Sequence, residues 1–227
     1  MGILGTLAVT GGIGSGKSLV CRFMEERGFP VYDSDSRTKA LYDNDSKLVQ
    51  DIRDRMAAYR DGKGPLPENF LLGNDGRIDR GWLSSIVFSG PRSSEALAEL
   101  ESVVHPAVLR DFELWKSSRE VVAAARFGTV VMESAIILDK PLFLQAMDKV
   151  LLVDAPVEIR LRRASERDGV PSEHIVGRMS HQQGIFGDIS HGKAHPDIDF
   201  VIENTGTPEE LRRKVDEFIV LNYSNGK

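Results

Sequence analysis

The chain has one cysteine, Cys21, and the absence of a second excludes any disulfide within it, which fits a reducing cytoplasm. It has no run approaching the 18 apolar residues of a membrane-spanning helix. Its N-terminus has neither the basic leader nor the small-residue cleavage site of a signal peptide, so secretion is not expected. Basic residues are not in excess. The formal net charge is −5, so the surface as a whole does not attract nucleic acid, and a polyanionic ligand needs a local group of cations. Internal repeats and low-complexity tracts are also lacking. His181, His191 and His195 lie among glycines but match no zinc spacing, and no cysteine assists them, so no protein-borne metal cluster is expected there. What remains is a globular chain, 41% hydrophobic over 227 residues, large enough for one substantial core and a small appended lobe.

The most informative stretch is Thr6-Leu7-Ala8-Val9-Thr10-Gly11-Gly12-Ile13-Gly14-Ser15-Gly16-Lys17-Ser18, an apolar β-branched run meeting the pattern G-x-x-x-x-G-K-[ST]. In such a loop Gly12, Ile13, Gly14, Ser15 and Gly16 turn backbone N–H groups onto an anion. Lys17 reaches the β and γ phosphates of a nucleotide, and Ser18 Oγ can ligate Mg²⁺. A helix starting near Lys17 adds the positive end of its dipole. Leu19, Val20, Phe23 and Met24 recur at helical spacing, and Gly28 stands where a helix C′ residue belongs.

A second strand is expected at Phe29-Pro30-Val31-Tyr32, with Asp33 and Asp35 just beyond it. Carboxylates at the C-terminal end of a parallel strand lie in the crevice where open α/β sheets bind ligands, although Asp33 or Ser34 can equally cap the helix expected over residues 36 to 43. Residues 46 to 119 read as almost wholly helical. Separate helices are expected over 93 to 104 and from Pro106 to about Arg119, divided at His105-Pro106. This insertion is far longer than an ordinary crossover, so the expected division is a nucleotide-binding core of residues 1–45 and 120–227 and a helical acceptor lobe of 46–119. Further strands are expected at 129–132, 150–153 and 200–202, as continuous apolar runs typical of strands buried on both faces. Between the last two, Arg160, Arg163 and Arg167 form one helical stripe beside an apolar stripe of Val157, Leu161 and Ala164. Behind a phosphate loop in an acidic chain, the arginines are read as part of a lid spanning about 156–197. Thr207-Pro208-Glu209-Glu210 is a capping box opening a terminal helix. The expected fold class is therefore α/β: a P-loop NTPase fold of three α/β/α layers with a parallel sheet, an inserted helical lobe and a lid.

These residues together carry a resemblance to the dephospho-coenzyme A kinase family over nearly the whole chain. Besides the phosphate loop it rests on Val31-Tyr-Asp-Ser-Asp35, and on Gly76-Arg-Ile-Asp-Arg80 with Leu83 and Val87-Phe88. Val104-His105-Pro106, Arg163, Arg167 and Gln182, and Asp199-Phe-Val-Ile-Glu-Asn-Thr-Gly206 complete it. The resemblance implies transfer of the ATP γ-phosphoryl group to the ribose 3′-hydroxyl of dephospho-coenzyme A, the last step of coenzyme A biosynthesis. It implies Asp35 as base, with Lys17 and Arg163 assisting catalysis and Arg163 closing over the nucleotide. Asn204 would lie near the adenine, and Asp33, Asp35, Arg80 and His105 on the acceptor side. It further implies ATP and Mg²⁺, held at Ser18, in a cytoplasmic monomer or small homo-oligomer, with no nucleic-acid or membrane partner. The chain departs from the family at Ala135-Ile-Ile-Leu-Asp139, at Arg160 where the family has Gln, and at Lys39 where Arg is frequent. The alternatives are another small-molecule or nucleoside P-loop kinase, and a regulatory P-loop switch. A GTPase switch would normally carry Asn-Lys-x-Asp, which this sequence does not.

Overall fold

The computed structural model describes residues 4–60, 65, 67–180 and 195–223. The chain forms two compact units, Met1–Asp33 with Trp115–Lys227, and Ser34–Leu114. The first holds a five-stranded parallel sheet in the order β2-β3-β1-β4-β5, from β1 (Gly5–Thr10), β2 (Val31–Asp33), β3 (Thr129–Glu133), β4 (Lys149–Asp154) and β5 (Phe200–Glu203). β1 is central because Leu7, Ala8 and Val9 are fully buried, as a strand covered on both faces requires. Helix α1 (Lys17–Glu26) places Val20, Phe23 and Met24 in one core with Leu7, Val9, Val131, Leu151 and Val153. The terminal helix, Pro208–Tyr223, adds Leu211, Val215, Phe218 and Ile219 to that core.

The predicted capping box forms: Thr207 N–H donates to Glu210 Oε2 at 2.9 Å, and Glu210 N–H to Thr207 Oγ1 at 3.3 Å. Gly28, with φ 96°, ends α1 as expected and donates its N–H to the Glu25 carbonyl at 2.9 Å. The strand ends matter most for function. β2, β3, β4 and β5 finish on Asp33, Glu133, Asp154 and Glu203, and only β1 runs instead into the phosphate loop. The parallel register sets Glu133 between Val9 of β1 and Asp33 of β2.

The second unit is helical, with α2 (Ser34–Asn44), α3 (Ser46–Met56), α4 (Arg80–Ser89) and most of α5 (Ser93–Lys116), and the first unit resumes with the short α6 (Arg119–Ala124) and, after β3, α7 (Pro141–Leu144). Here α2 belongs with the helical unit, whereas the sequence groups it with the core. Arg37 on α2 makes a bidentate pair with Asp111 of α5 at 2.8 and 2.7 Å, and Arg80, the first residue of α4, meets both Asp43 oxygens at 2.9 Å. The forked Arg37 pair adds geometric definition to the packing, while Arg80 reaches both oxygens from one nitrogen.

The break expected at His105-Pro106 does not occur: α5 runs unbroken from Ser93 to Lys116 with Pro106 inside it. Proline removes one i→i−4 hydrogen bond and crowds the preceding turn. Against that local cost, Ala96, Leu100, Val104, Ala107, Val108 and Phe112 form one buried stripe across the proline, and their continuous burial outweighs a single lost bond. His105 is thus a mid-helix residue and not a helix start. Pro106→Ala restores the donor at the cost of a more flexible unfolded chain, and is expected to stabilise the protein by on the order of 1 kcal/mol. Thermal melting measures this, and a fall in melting temperature would show that the proline ring itself packs favourably.

Candidate active site

The sequence places the phosphate loop by pattern, and the structure shows what shapes it. Gly14 and Gly16 take left-handed φ values of 78° and 97°, which a β-carbon disfavours. Space is as restrictive as conformation. A β-carbon on Gly14 would lie 2.1 Å from the Arg160 carbonyl oxygen, one on Gly16 2.3 Å from Asn204 Nδ2, and one on Gly11 2.4 Å from the Val153 carbonyl. The loop closes by a Ser15 N–H bond to the Gly12 carbonyl at 3.0 Å, and α1 begins directly after Gly16 with no acidic residue in its first turn. The N-terminal dipole of α1 is therefore not neutralised by its own side chains. Thr10 Oγ1 and Ser15 Oγ are buried without a hydrogen-bond partner among the described residues. Left-handed glycines and a bare helix terminus are features of anion sites, so the loop fits a phosphate group.

Beside Lys17, Ser18 Oγ donates to Glu133 Oε1 at 2.5 Å. Burial raises the Glu133 carboxyl above its ordinary value and nearby Asp33 adds to the rise, while the Ser18 hydrogen bond and the Lys17 charge oppose it. The thiol of Cys21 also donates to Glu133. Burial, reinforced by that carboxylate, raises the thiol well above its usual value, so Cys21 is an inert, buried side chain. A serine hydroxyl and a glutamate in contact, with an aspartate one strand away, form a hard oxygen set suited to Mg²⁺, which takes one or two carboxylates together with substrate phosphates. Sequence reasoning missed Glu133 because the strand was expected to stop at Met132. The available signal was an acid closing an apolar strand that pairs with β1.

Helix α8 (Val157–Asp168) corrects the expected stripes. Its buried residues are Arg160 and Ala164, one turn apart, while Val157 is 43% exposed. Arg160 is 5% exposed and its Nε is unpartnered among the described residues. Burial lowers its guanidinium below the usual range, with Asp154 opposing. Arg160 therefore belongs to the wall behind the loop and not to a solvated arginine face. Arg163 is half-buried, and its Nη1 and Nη2 donate to the Asn204 and Gly206 carbonyls, both at 2.9 Å. Burial lowers Arg163 too, and the like charge of Arg162 adds to the shift. Arg167 turns to its neighbour Asp168 at 2.7 Å.

Asn204, buried in the turn after β5, donates from Nδ2 to the Ser15 carbonyl at 2.8 Å. The structure thus brings Gly12, Ile13, Gly14, Ser15, Gly16, Lys17, Ser18, Asp33, Arg163 and Asn204 into the sheet unit. Asp35 is exposed in the first turn of α2, in the helical unit, which also holds Arg80, committed to Asp43, and the half-buried His105. Asp139, on the altered turn, is exposed at the end of a short 3₁₀ turn, Ile137–Asp139. His195 accepts from Asp197 N–H at 3.3 Å, while His181, Gln182 and His191 lie outside the described residues.

With this geometry in place, comparison with known proteins is direct. The family model described as dephospho-CoA kinase matches residues 5–210. A dephospho-CoA kinase of Porphyromonas gingivalis is 38% identical over 178 residues, spanning 78% of this chain and 77% of its own length. One from Geobacillus kaustophilus is 34% identical over 215 residues, spanning 92% of each. Among solved structures, that of TT1252 from Thermus thermophilus superposes with a TM-score of 0.70 at 28% identity, covering 97% of this chain and 99% of that one. A phosphate loop alone is common to many nucleotide-binding proteins, but its agreement with these matches from the first strand into the last helix is specific: the chain belongs to the dephospho-CoA kinase family.

Proposed function

We propose that this chain transfers the γ-phosphoryl group of ATP to the ribose 3′-hydroxyl of dephospho-coenzyme A, with Lys17, Ser18, Glu133 and Asp33 serving the phosphates and Asp35 the acceptor hydroxyl. The family is an enzyme family of the last step of coenzyme A biosynthesis, and its members are ATP-dependent kinases. The observation that best supports the site assignment is the Ser18–Glu133 contact at 2.5 Å beside a loop built for phosphate. The Lys17 ammonium neutralises the β and γ oxygens as charge shifts towards the leaving diphosphate. Asp35 accepts the proton of the 3′-hydroxyl as its oxygen bonds to phosphorus, and Arg80 and His105 serve the acceptor. Arg163 acts on the nucleotide side. Ser18, with Glu133 and Asp33 at hand, would hold Mg²⁺, which would supply charge neutralisation to the phosphate oxygens. Among the described residues no helix is long and apolar enough to cross a membrane. A cytoplasmic monomer or small homo-oligomer, acting on ATP and dephospho-coenzyme A alone, completes the proposal.

A coupled ADP-release assay tests the reaction. Turnover should rise strongly with dephospho-coenzyme A and stay near background with shikimate or nucleosides, and equal stimulation by those acceptors would overturn the assignment. In the same assay Lys17→Ala should lose on the order of 10² to 10³ in rate while melting normally.

Asp35→Asn keeps size but removes the base, and should lower kcat by on the order of 10² to 10⁴ with ATP binding unchanged. Asp33→Asn should cost less. The reverse ranking would make Asp33 the base.

Glu133 generates a coupled prediction. Its folded-state pKa is raised, so the folded protein holds that proton to higher pH than the unfolded chain does. The resulting stability contribution is fully present below the ordinary glutamate value and is lost as pH rises through the raised one. Glu133→Gln should therefore melt higher than the parent at pH 7 to 8, with the difference vanishing near pH 4. It should also need more Mg²⁺ and lose about 10- to 100-fold in activity. Melting curves across pH and a Mg²⁺ titration of the rate read both effects.

A further inference from the structure

We infer that Asn204 is a positioning residue that aims the Gly16 N–H of the phosphate loop at the nucleotide, and that Arg163 acts on the loop through Asn204. The inference rests on the nucleotide-site reading given above. Ser15 C=O and Gly16 N–H belong to one peptide unit, and that unit is trans, so the two groups point in opposite directions. Asn204 Nδ2 holds the Ser15 carbonyl at 2.8 Å from the sheet side, which turns the Gly16 N–H the other way, to the side of the loop open to an anion.

The same side chain leaves room only for hydrogen at position 16, where a β-carbon would meet Nδ2 at 2.3 Å. Asn204 is itself fixed at two further points. Its N–H donates to the Asp154 carbonyl at 2.7 Å, continuing the β4–β5 pairing, and its carbonyl accepts from Arg163 Nη1 at 2.9 Å. Arg163 Nη2 grips the Gly206 carbonyl at 2.9 Å, so the guanidinium spans the turn on both sides of Thr205. A chain of hydrogen bonds thus runs from α8 through the 204–206 turn to the peptide plane of the phosphate loop. The Asn204–Ser15 link is buried and the Arg163–Asn204 link half-buried, where an unmet polar group is costly, while the Gly206 contact is exposed. Without the Asn204 amide the Ser15–Gly16 peptide is free to rotate, because glycine tolerates either orientation, and one phosphate donor is lost.

Two substitutions test this. Asn204→Asp keeps the shape but sets an acceptor against the Ser15 carbonyl, and Asn204→Ala removes the donor without repulsion. Both should weaken ATP binding on the order of 10- to 100-fold, read without acceptor as a reduced ATP-induced rise in melting temperature. The KM for dephospho-coenzyme A at saturating ATP should change less than about threefold. Because the binding readout needs no acceptor, its failure is distinguishable from failure of the kinase reading, which the acceptor panel decides on the unsubstituted protein. If Asn204→Ala kept wild-type ATP affinity, or raised both substrates' KM equally while lowering the melting temperature without ligand, the positioning role would be overturned. The role of Arg163 is decided by a double-mutant cycle on kcat/KM for ATP. The Arg163→Ala, Asn204→Ala double variant should lose no more than the worse single variant, whereas additive losses would mean that Arg163 acts independently of Asn204.

Discussion

Close backbone approach behind the phosphate loop is the constraint on which the rest of this enzyme depends. At Gly11, Gly14 and Gly16 the loop is pressed by the end of β4, by the Arg160 carbonyl of α8 and by the Asn204 amide, each leaving room only for hydrogen. A loop free in solution would sample many peptide orientations, and binding phosphate would then require ordering it each time. Here three separate parts of the sheet unit share that ordering, so the donors stand ready before the nucleotide arrives. The wall is itself costly to build, since it includes the buried, partly unsatisfied guanidinium of Arg160.

Electrostatics in the site oppose stability and serve chemistry. Glu133 is half-buried near a second carboxylate, an arrangement that disfavours its charged form. The Lys17 charge and the Ser18 hydroxyl work in the opposite direction, favouring the carboxylate. Lys17 and the α1 terminus supply positive potential locally, although the chain as a whole is acidic.

Legibility of the sequence followed the range of the interactions. The phosphate loop, the Gly28 stop and the Thr207 capping box could be read because their partners lie within a few residues. Glu133 could not, because its contact with Ser18 is made by parallel register across the sheet, between residues 115 positions apart. Pro106 misled for a related reason: its local cost is evident in the sequence, whereas the six-residue stripe that overrides it gains its energy from burial. For α8 the periodicity was right but the choice of face was wrong, since an arginine was not expected to point inward. The family resemblance placed Asn204 at the nucleotide side, and only the fold shows that its amide is spent on the loop itself.

The four strands that end in carboxylates surround the one that does not. At physiological ionic strength the Debye length is about 8 Å, so this acidic rim acts as a short-range filter on net ligand charge and has little influence on approach from a distance. An anion reaching the rim meets like charge on either side of the loop, and that repulsion acts only within the last few ångströms of entry, where added salt, which weakens long-range fields most, changes it least.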